Sequence, residues 1–376
     1  MQNTAYPCGT RSHSNPTIVC ILGYGRSGST LLDLLLGSQA GYVSTGELVN
    51  LYREVERDEL CSCGRHLSEC TFWSQVLKSV GDKLGEYEKA RRRVELLSSF
   101  PFLAVNALCK RTKTRYRELT RLLFDTIVRV SGADVVVDSS KSTRTATGRF
   151  LALSRLGQYN VKAILLIRDL RGVVWSAMKG PGSGRGPAPA RWKRPWVALR
   201  TAVSWALTNV LCRISIAITG RRNNIAIVRY EELCRDTPGT VSRLMAFIGR
   251  GLFAEMDLSR RRVTGHLVAG NRVRFRGIGR VCEDRGWEKG LPSWYTVVAS
   301  VVDASVRRLF EQRIKTWSSP DSPRRAAGGG EPATASVASR CDGSYGTHTR
   351  LAAGRAEATA AETRARSEPG EPPRTS

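Results

Sequence analysis

Three stretches of this sequence hold residues whose types and spacing could do chemistry, and the first is GYGRSGSTLL at positions 23–32. Gly23 and Gly28 keep the frame G-x-x-x-x-G-K-[ST] of a phosphate-binding loop, in which backbone N–H groups and the start of a helix face an anion. Gly25, Arg26, Ser27, Gly28, Ser29 and Thr30 are then the residues that would surround it. At position 29, where a triphosphate-binding loop carries lysine, stands Ser29, and the nearest cation is Arg26 inside the loop. A planar guanidinium fork suits tetrahedral oxyanions, so Arg26 fits one phosphate with a neighbouring sulfate better than a triphosphate.

The second stretch is LIRDLRGVVWS, residues 166–176. Arg168 leaves the end of an apolar run, VKAILLI, and Ser176 follows about two helical turns later, facing back toward it. Both would meet at the carboxyl end of a strand, where open α/β sheets bind their ligands. The third stretch is CSCGRHLSEC, which groups Cys61, Cys63, His66 and Cys70. Such a grouping suggests tetrahedral zinc, but C-x-C is tighter than the usual C-x₂₋₄-C, and a single histidine is a weak fourth ligand.

The elements that must position these residues alternate. Thr17–Leu22 (TIVCIL) reads as a buried strand stopped by Gly23, and Thr30–Leu36 as a helix opening straight after the loop. Leu119, Leu122, Leu123, Phe124, Ile127 and Val128 give Tyr116–Val130 helical spacing. Val135–Val137 is a short strand ending on Asp138, followed by Ser139, Ser140 and Lys141; Arg144–Leu156 reads as a helix and Val161–Ile167 as a second buried strand. Pro181–Trp196 is a basic insertion without helical or strand pattern. Ile225–Tyr230 reads as a further strand, the helix that follows is capped by Thr237 with Pro238 in its first turn and ends at Gly249, and Ser293–Gln312 reads as the last helix. Apolar strands alternating with helices predict an α/β fold with a P-loop-like parallel β-sheet and helices on both faces. That domain spans 17–318, between a disordered N-terminus (1–16) and a disordered C-terminal tail (319–376) of low-complexity composition.

Composition adds charge. The 376 residues carry a net +26, and the tail from Ser319 onward contributes only +1 from 8 Arg and 7 Asp+Glu. A field of that sign attracts polyanions, whether nucleic acid, an acidic membrane or a multiply phosphorylated cofactor. Ile18–Leu22 is too short for a signal-peptide core, and Ala198–Thr219, the most apolar long segment, is interrupted by Arg200 and Arg213. It reads as a buried helix rather than an integral membrane segment. Ten cysteines without an export signal suggest reduced thiols and a cytoplasmic protein.

The loop GYGRSGSTLL resembles the 5′-phosphosulfate loop of sulfotransferases, and LIRDLRGVVWS is similar to that family's 3′-phosphate segment, with Arg168 and Ser176 at the matching spacing. VRYEEL at 228–233 resembles a segment whose tyrosine touches adenine, which nominates Tyr230. HLVAGNRVRFRG at 266–277 resembles a later nucleotide-binding segment and nominates Arg274 and Arg276, with Gly270 and Asn271 shaping the turn; Trp287 and Leu291 resemble the family's closing element. The resemblance covers roughly residues 17–314. It implies 3′-phosphoadenosine 5′-phosphosulfate (PAPS) as donor, a small-molecule or glycan acceptor and no metal in the transfer. Sulfuryl transfer needs a base. None of the four histidines follows VVVD, whereas STGELVN places Glu47 where one branch of the family has a glutamate base. Lys141 and Ser140 end a strand facing the same rim, where they would orient the acceptor or the phosphosulfate, with Lys141 a catalytic candidate beside Glu47 and Arg26. The Cys-Ser-Cys-Gly … Cys-x-Phe-Trp stretch is similar to one in bacterial members and reads as a structural lid over the acceptor side.

Two rival functions remain at this level. A P-loop kinase or NTPase is suggested by Asp138 at a strand end, which mimics the aspartate that supports Mg²⁺. Ser29 in place of lysine and the Arg168/Ser176 pair count against it. A nucleic-acid-binding protein is suggested by charge alone. No zinc finger, helix-turn-helix or aromatic RNA-reading motif supports it, and nucleic acid is not an expected partner.

Overall fold

The structure, a computed structural model, describes residues 15–98, 110–141, 148–180, 187–219, 222–249, 265–279, 281–308 and 310. The expected disordered termini fall outside these residues, save for 15 and 16 at the N-terminal end. Five strands, β1 (Thr17–Leu22), β2 (Tyr42–Gly46), β3 (Val135–Asp138), β4 (Asn160–Ile167) and β5 (Ile225–Arg229), form one sheet in the order β2-β3-β1-β4-β5, with every pair parallel. The helices are α1 (Ser29–Gly37), α2 (Leu51–Glu56), α3 (Trp73–Val80), α4 (Lys83–Ser98), α5 (Lys110–Ser131), α6 (Arg149–Leu156) and α7 (Leu170–Met178). They continue as α8 (Arg194–Thr219), α9 (Tyr230–Arg235), α10 (Thr237–Ile248), α11 (Trp287–Gly290) and α12 (Ser293–Arg308).

Side chains alternate across a strand, so a sheet with two apolar faces needs cover on both. Val19, Ile21, Val137, Ile164, Leu166 and Val228 pack with α1, α9 and α10. Ile18, Cys20, Val136, Ala163, Leu165 and Ile227 pack under α3, α5, α6, α7, α8 and α12. This is the α/β architecture with both faces covered, and β1 at its centre sends the glycine loop out from the middle of the sheet.

Several expectations need adjustment. β2 was not foreseen, because its Ser44 and Thr45 break the apolar pattern. Both are buried with partners outside β2: Ser44 Oγ donates to the Asp33 carbonyl (2.6 Å) and Thr45 Oγ1 to the Val137 carbonyl (2.7 Å). β5 stops at Arg229, and Tyr230 opens α9 instead of ending the strand. α10 is capped by Asp236, whose carboxylate accepts from Gly239 N (2.9 Å), and not by Thr237. The insertion is partly ordered: 191–193 is a 3₁₀ turn and α8 begins at Arg194, while 181–186 lies outside the described residues. Residues 142–147, the start expected for α6, also lie outside them.

α8 is only half a core helix. Trp205, Cys212 and Ile216 enter the core, whereas Leu199, Val203 and Leu207 are exposed. By length and composition Arg191–Thr219 is apolar enough to cross a membrane, with a mean hydropathy of 1.4, yet it packs against α6, α7 and α12. Cys282 is disulfide-bonded, an exception to the expectation of reduced thiols.

Under the sheet's carboxyl edge lies a buried ion-pair network. Arg149 donates from Nε to Asp138 (2.6 Å) and from Nη1 to Glu95 (2.5 Å) and the Tyr87 hydroxyl (3.1 Å). Glu95 also receives Arg91 (3.1 Å) and the Tyr116 hydroxyl (3.2 Å). All of these side chains are buried. Removing one partner of such a pair leaves an uncompensated charge. Arg149→Met is therefore expected to lower unfolding stability by about 3–5 kcal/mol in urea titrations; a loss below ~1 kcal/mol would show that the pair does not bear on stability.

Asp33 on α1 is wholly buried near Ser44 and Ser139. Burial pushes its pKa up to about 7, neither carboxylate oxygen has a hydrogen-bond partner among the described residues, and the charge of Asp138 adds to the rise. An acid whose folded pKa is raised contributes stability that is intact below its ordinary value of 3.8 and is lost as pH rises toward 7. Asp33→Asn removes that loss. Its stability relative to wild type is expected to rise by about 1.4 kcal/mol per pH unit between those limits and then level off; a pH-independent difference in chemical denaturation would contradict this.

Candidate functional site

The glycine loop leaves β1 and feeds α1 directly. Gly28 is the N-cap in the left-handed region (φ 91°), and a Cβ there would lie 2.5 Å from the Tyr230 ring, so only glycine fits. Arg26 also has positive φ (69°), an uncommon state for a residue with a side chain. A side chain at Gly25 would meet nothing within 4 Å, so the loop's crest is open. Below it, the hydroxyls of Ser27 and Ser29 are buried without a hydrogen-bond partner among the described residues. A buried hydroxyl left unsatisfied costs on the order of 1–3 kcal/mol, and these two sit where α1 aims its free N–H groups. An oxyanion held by the loop would supply the missing acceptor.

Two guanidinium groups flank the loop. Arg26 reaches α7, donating to the Ser176 carbonyl (2.5 Å) and hydroxyl (3.2 Å) and to the Gly180 carbonyl (2.8 Å). Arg168, buried at the end of β4, donates to the Arg26 carbonyl (3.0 Å) and the Asp284 carbonyl (3.3 Å), and its guanidinium lies 4.3 Å from the centre of the Tyr230 ring. Burial lowers the pKa of Arg26; Tyr24 opposes that, and the like charge of Arg168 lowers it further. An anion between them would relieve that repulsion. Arg26, nominated as the cation of the loop, and Arg168 and Ser176, nominated by the resemblance of their segment, are thus brought together. Arg26, however, is anchored on α7 rather than standing free over the loop.

Glu47 follows β2 at the same rim. Its carboxylate forms an ion pair with Lys141 and accepts from Asn50 Nδ2 (2.7 Å). A Cβ added to Gly270 would lie 3.2 Å from Thr30 Oγ1 and 3.7 Å from Glu47 Oε1, so loop and carboxylate border one spot. Ser140 holds this corner: its Oγ accepts from Val49 N (3.1 Å) and donates to Asp138, which is also paired with Arg149. Asp138 is therefore committed to protein partners, unlike a strand-end aspartate held ready for a metal.

The remaining nominees are placed as follows. Tyr230 packs on Gly28 and under Arg168, forming the floor of the loop. Arg274 is buried and turned inward, donating to the carbonyls of Gly270 (2.9 Å) and Leu60 (3.4 Å). Arg276 is exposed. Trp287 lies under the Arg171 guanidinium (4.1 Å), which fixes α11 against α7. Asp284 was missed by sequence reasoning; it takes Lys179 (2.7 Å) and lies 3.8 Å from Arg168. No motif marks it, because its partners come from β4 and α7. The cysteine group also changes membership. His66 donates to the Asp58 carbonyl (2.5 Å), and His266 joins Cys61, Cys63 and Cys70 instead.

A model of the sulfotransferase family matches residues 16–254, more than half of the chain. No curated protein matches the sequence. Among solved structures, the chain is similar to the sulfotransferase domain from the Synechococcus PCC 7002 olefin synthase, at 19% identity and a TM-score of 0.37, covering 85% of this chain and 94% of that one. It is also similar to the sulfotransferase domain from the curacin biosynthetic pathway, at 16% identity and a TM-score of 0.45, over 79% and 97%. A third likeness is to a sulfotransferase from Alicyclobacillus acidocaldarius, at 14% identity and a TM-score of 0.40, over 81% and 100%. Overlaps this loose carry no argument by themselves. The family match does: it runs from β1 through α10 and takes in the loop, Glu47, Arg168 and Ser176, so the chain belongs to the sulfotransferase family.

Proposed function

We propose that the protein transfers the sulfuryl group of PAPS to a hydroxyl or amine of a small-molecule or glycan acceptor, such as a carbohydrate, a lipid or a natural product. The observation that carries this reading is the pair of partnerless buried hydroxyls, Ser27 and Ser29, at a helix start flanked by Arg26 and Arg168. A donor with a 5′-phosphosulfate and a separate 3′-phosphate presents two anions, and the chain offers a loop for one and the Arg168/Ser176 pair for the other. Adenosine 3′,5′-bisphosphate is the leaving group that such a donor provides.

The residues divide the work as follows. The loop N–H groups, Ser27, Ser29 and Thr30 hold the 5′-phosphosulfate, and Arg26 meets the charge that grows on the bridging oxygen. Glu47 takes the proton from the acceptor as the new O–S or N–S bond forms and the bond from sulfur to the bridging oxygen breaks. Lys141 keeps the Glu47 carboxylate aimed at the rim. A kinase reading has less support, because Asp138 is tied to Arg149 and Ser140 and the loop has no lysine at position 29.

Two variants test these roles. With an acceptor found by screening with radiolabelled PAPS, Glu47→Gln is expected to lower kcat by about 10²–10⁴-fold while affinity for adenosine 3′,5′-bisphosphate stays within about twofold. Near-normal turnover would remove Glu47 from the role of base. Arg168→Met is expected to weaken adenosine 3′,5′-bisphosphate by about 10–100-fold in calorimetry while adenosine 5′-phosphate is little affected. Equal losses for both ligands would mean that Arg168 supports the loop instead of reading a 3′-phosphate.

A further inference from the structure

Cys61, Cys63, Cys70 and His266 place three thiol sulfurs and an imidazole nitrogen within 4.8 Å of one another, and no carboxylate among the described residues joins them. Cys63 Sγ lies 3.7 Å from Cys70 Sγ; His266 Nδ1 lies 3.2 Å from Cys70 Sγ and 3.8 Å from Cys61 Sγ. A zinc ion with Zn–S near 2.3 Å and Zn–N near 2.05 Å, at tetrahedral angles, sets edges of about 3.8 Å for S–S and about 3.6 Å for S–N. The three observed spacings lie within about 0.4 Å of these edges, and all four ligand atoms lie within 4.8 Å of one another. A disulfide would need its two sulfurs at about 2.05 Å.

The surroundings are built to hold these four groups still. The Cys61–Gly64 turn closes with Cys61 N donating to the Arg65 carbonyl and Gly64 N to the Cys61 carbonyl, both at 2.9 Å. Between the first two cysteines, Ser62 locks onto the histidine's segment: its N donates to the Leu267 carbonyl (3.1 Å), and its Oγ donates to the Gly265 carbonyl (3.0 Å) and accepts from Leu267 N (2.9 Å). The His266 ring stacks on Phe72 at 5.2 Å and 18°, and Trp73 Nε1 donates to the His266 carbonyl (2.6 Å). Cys61 and Cys70 are buried, whereas Cys63 is exposed and gives an ion a way in.

We propose that these four residues bind one zinc ion as a closed structural site. Four protein ligands leave no open position for a substrate, and a thiolate–imidazole set selects a soft or borderline ion over Mg²⁺ or Ca²⁺. The site clips together two segments 196 residues apart in sequence. What it fastens is the segment that continues to the site's rim: Val268 forms an isolated bridge with Gly46, Glu47 N donates to the Val268 carbonyl (2.8 Å), and Asn271 N donates to Thr30 Oγ1 (3.3 Å). The ion thus holds the ground on which Glu47 and Thr30 stand, and takes no part in bond making.

Elemental analysis of the full chain purified without chelator is expected to give about one zinc per chain. Cys63→Ala, at the exposed ligand, and His266→Ala should each cut the zinc content at least fivefold, and His66→Ala should retain it. Titration of the metal-free wild-type chain with Co²⁺ should produce the thiolate charge-transfer and visible bands of a tetrahedral site, which reports on binding without any variant. The proposal is overturned by wild-type protein that holds no zinc and gives no such spectrum with Co²⁺. It is overturned equally by a Cys63–Cys70 disulfide in non-reduced peptide maps, or by zinc that follows His66 and not His266.

Discussion

A carboxylate buried at the carboxyl end of β3 has to be neutralised where it stands, and much of the site depends on how this is done. Asp138 is closed by Arg149, and Arg149 by Glu95. The same Asp138 binds Ser140 through its other oxygen, and Ser140 holds the backbone at Val49, two residues past Glu47. Arg91 reinforces that contact by donating to the Val49 carbonyl (2.9 Å). A charge network that would be costly if incomplete therefore ties the layer of α4, α5 and α6 to the rim on which Glu47 and Lys141 face each other.

The other half of the site is organised by backbone. β1 and β4 are neighbours in register, with Leu22 beside Leu165, so the loop and Arg168 leave the sheet side by side. Arg26 then crosses to Ser176 and Gly180, and Arg168 returns to the Arg26 carbonyl. Tyr230, delivered by β5, fills the space under Gly28 that any side chain would need. Neighbouring parallel strands thus place two cations beside two buried hydroxyls that have no hydrogen-bond partner among the described residues, which is the arrangement the proposed donor would use.

The local part of this arrangement was legible in the sequence. A short β-branched run followed by glycine and a leucine-rich helix marks β1, the loop and α1, and the Arg168/Ser176 spacing marks the end of β4 and α7. What was hidden depends on partners far away in the chain. β2 carries Ser44 and Thr45 inward because carbonyls of α1 and β3 are waiting for them, and no pattern within β2 announces this. His266 joins cysteines some 200 residues earlier, so a spacing rule applied to residues 61–70 picked His66 instead. Arg274 was nominated by the resemblance of its segment, and no pattern there shows that its guanidinium donates to the carbonyls of its own turn and of Leu60.

The central claim is that the loop and the Arg168/Ser176 corner together accept a nucleotide bearing anions at both its 5′ and 3′ positions. Isothermal titration of the wild-type chain with adenosine 3′,5′-bisphosphate, adenosine 5′-phosphate and ATP tests it most directly. The account predicts that the bisphosphate binds at least tenfold more tightly than either of the others, in line with about 1.4 kcal/mol or more from a charged 3′-phosphate contact. Equal binding of the bisphosphate and adenosine 5′-phosphate, or tighter binding of ATP, would contradict it.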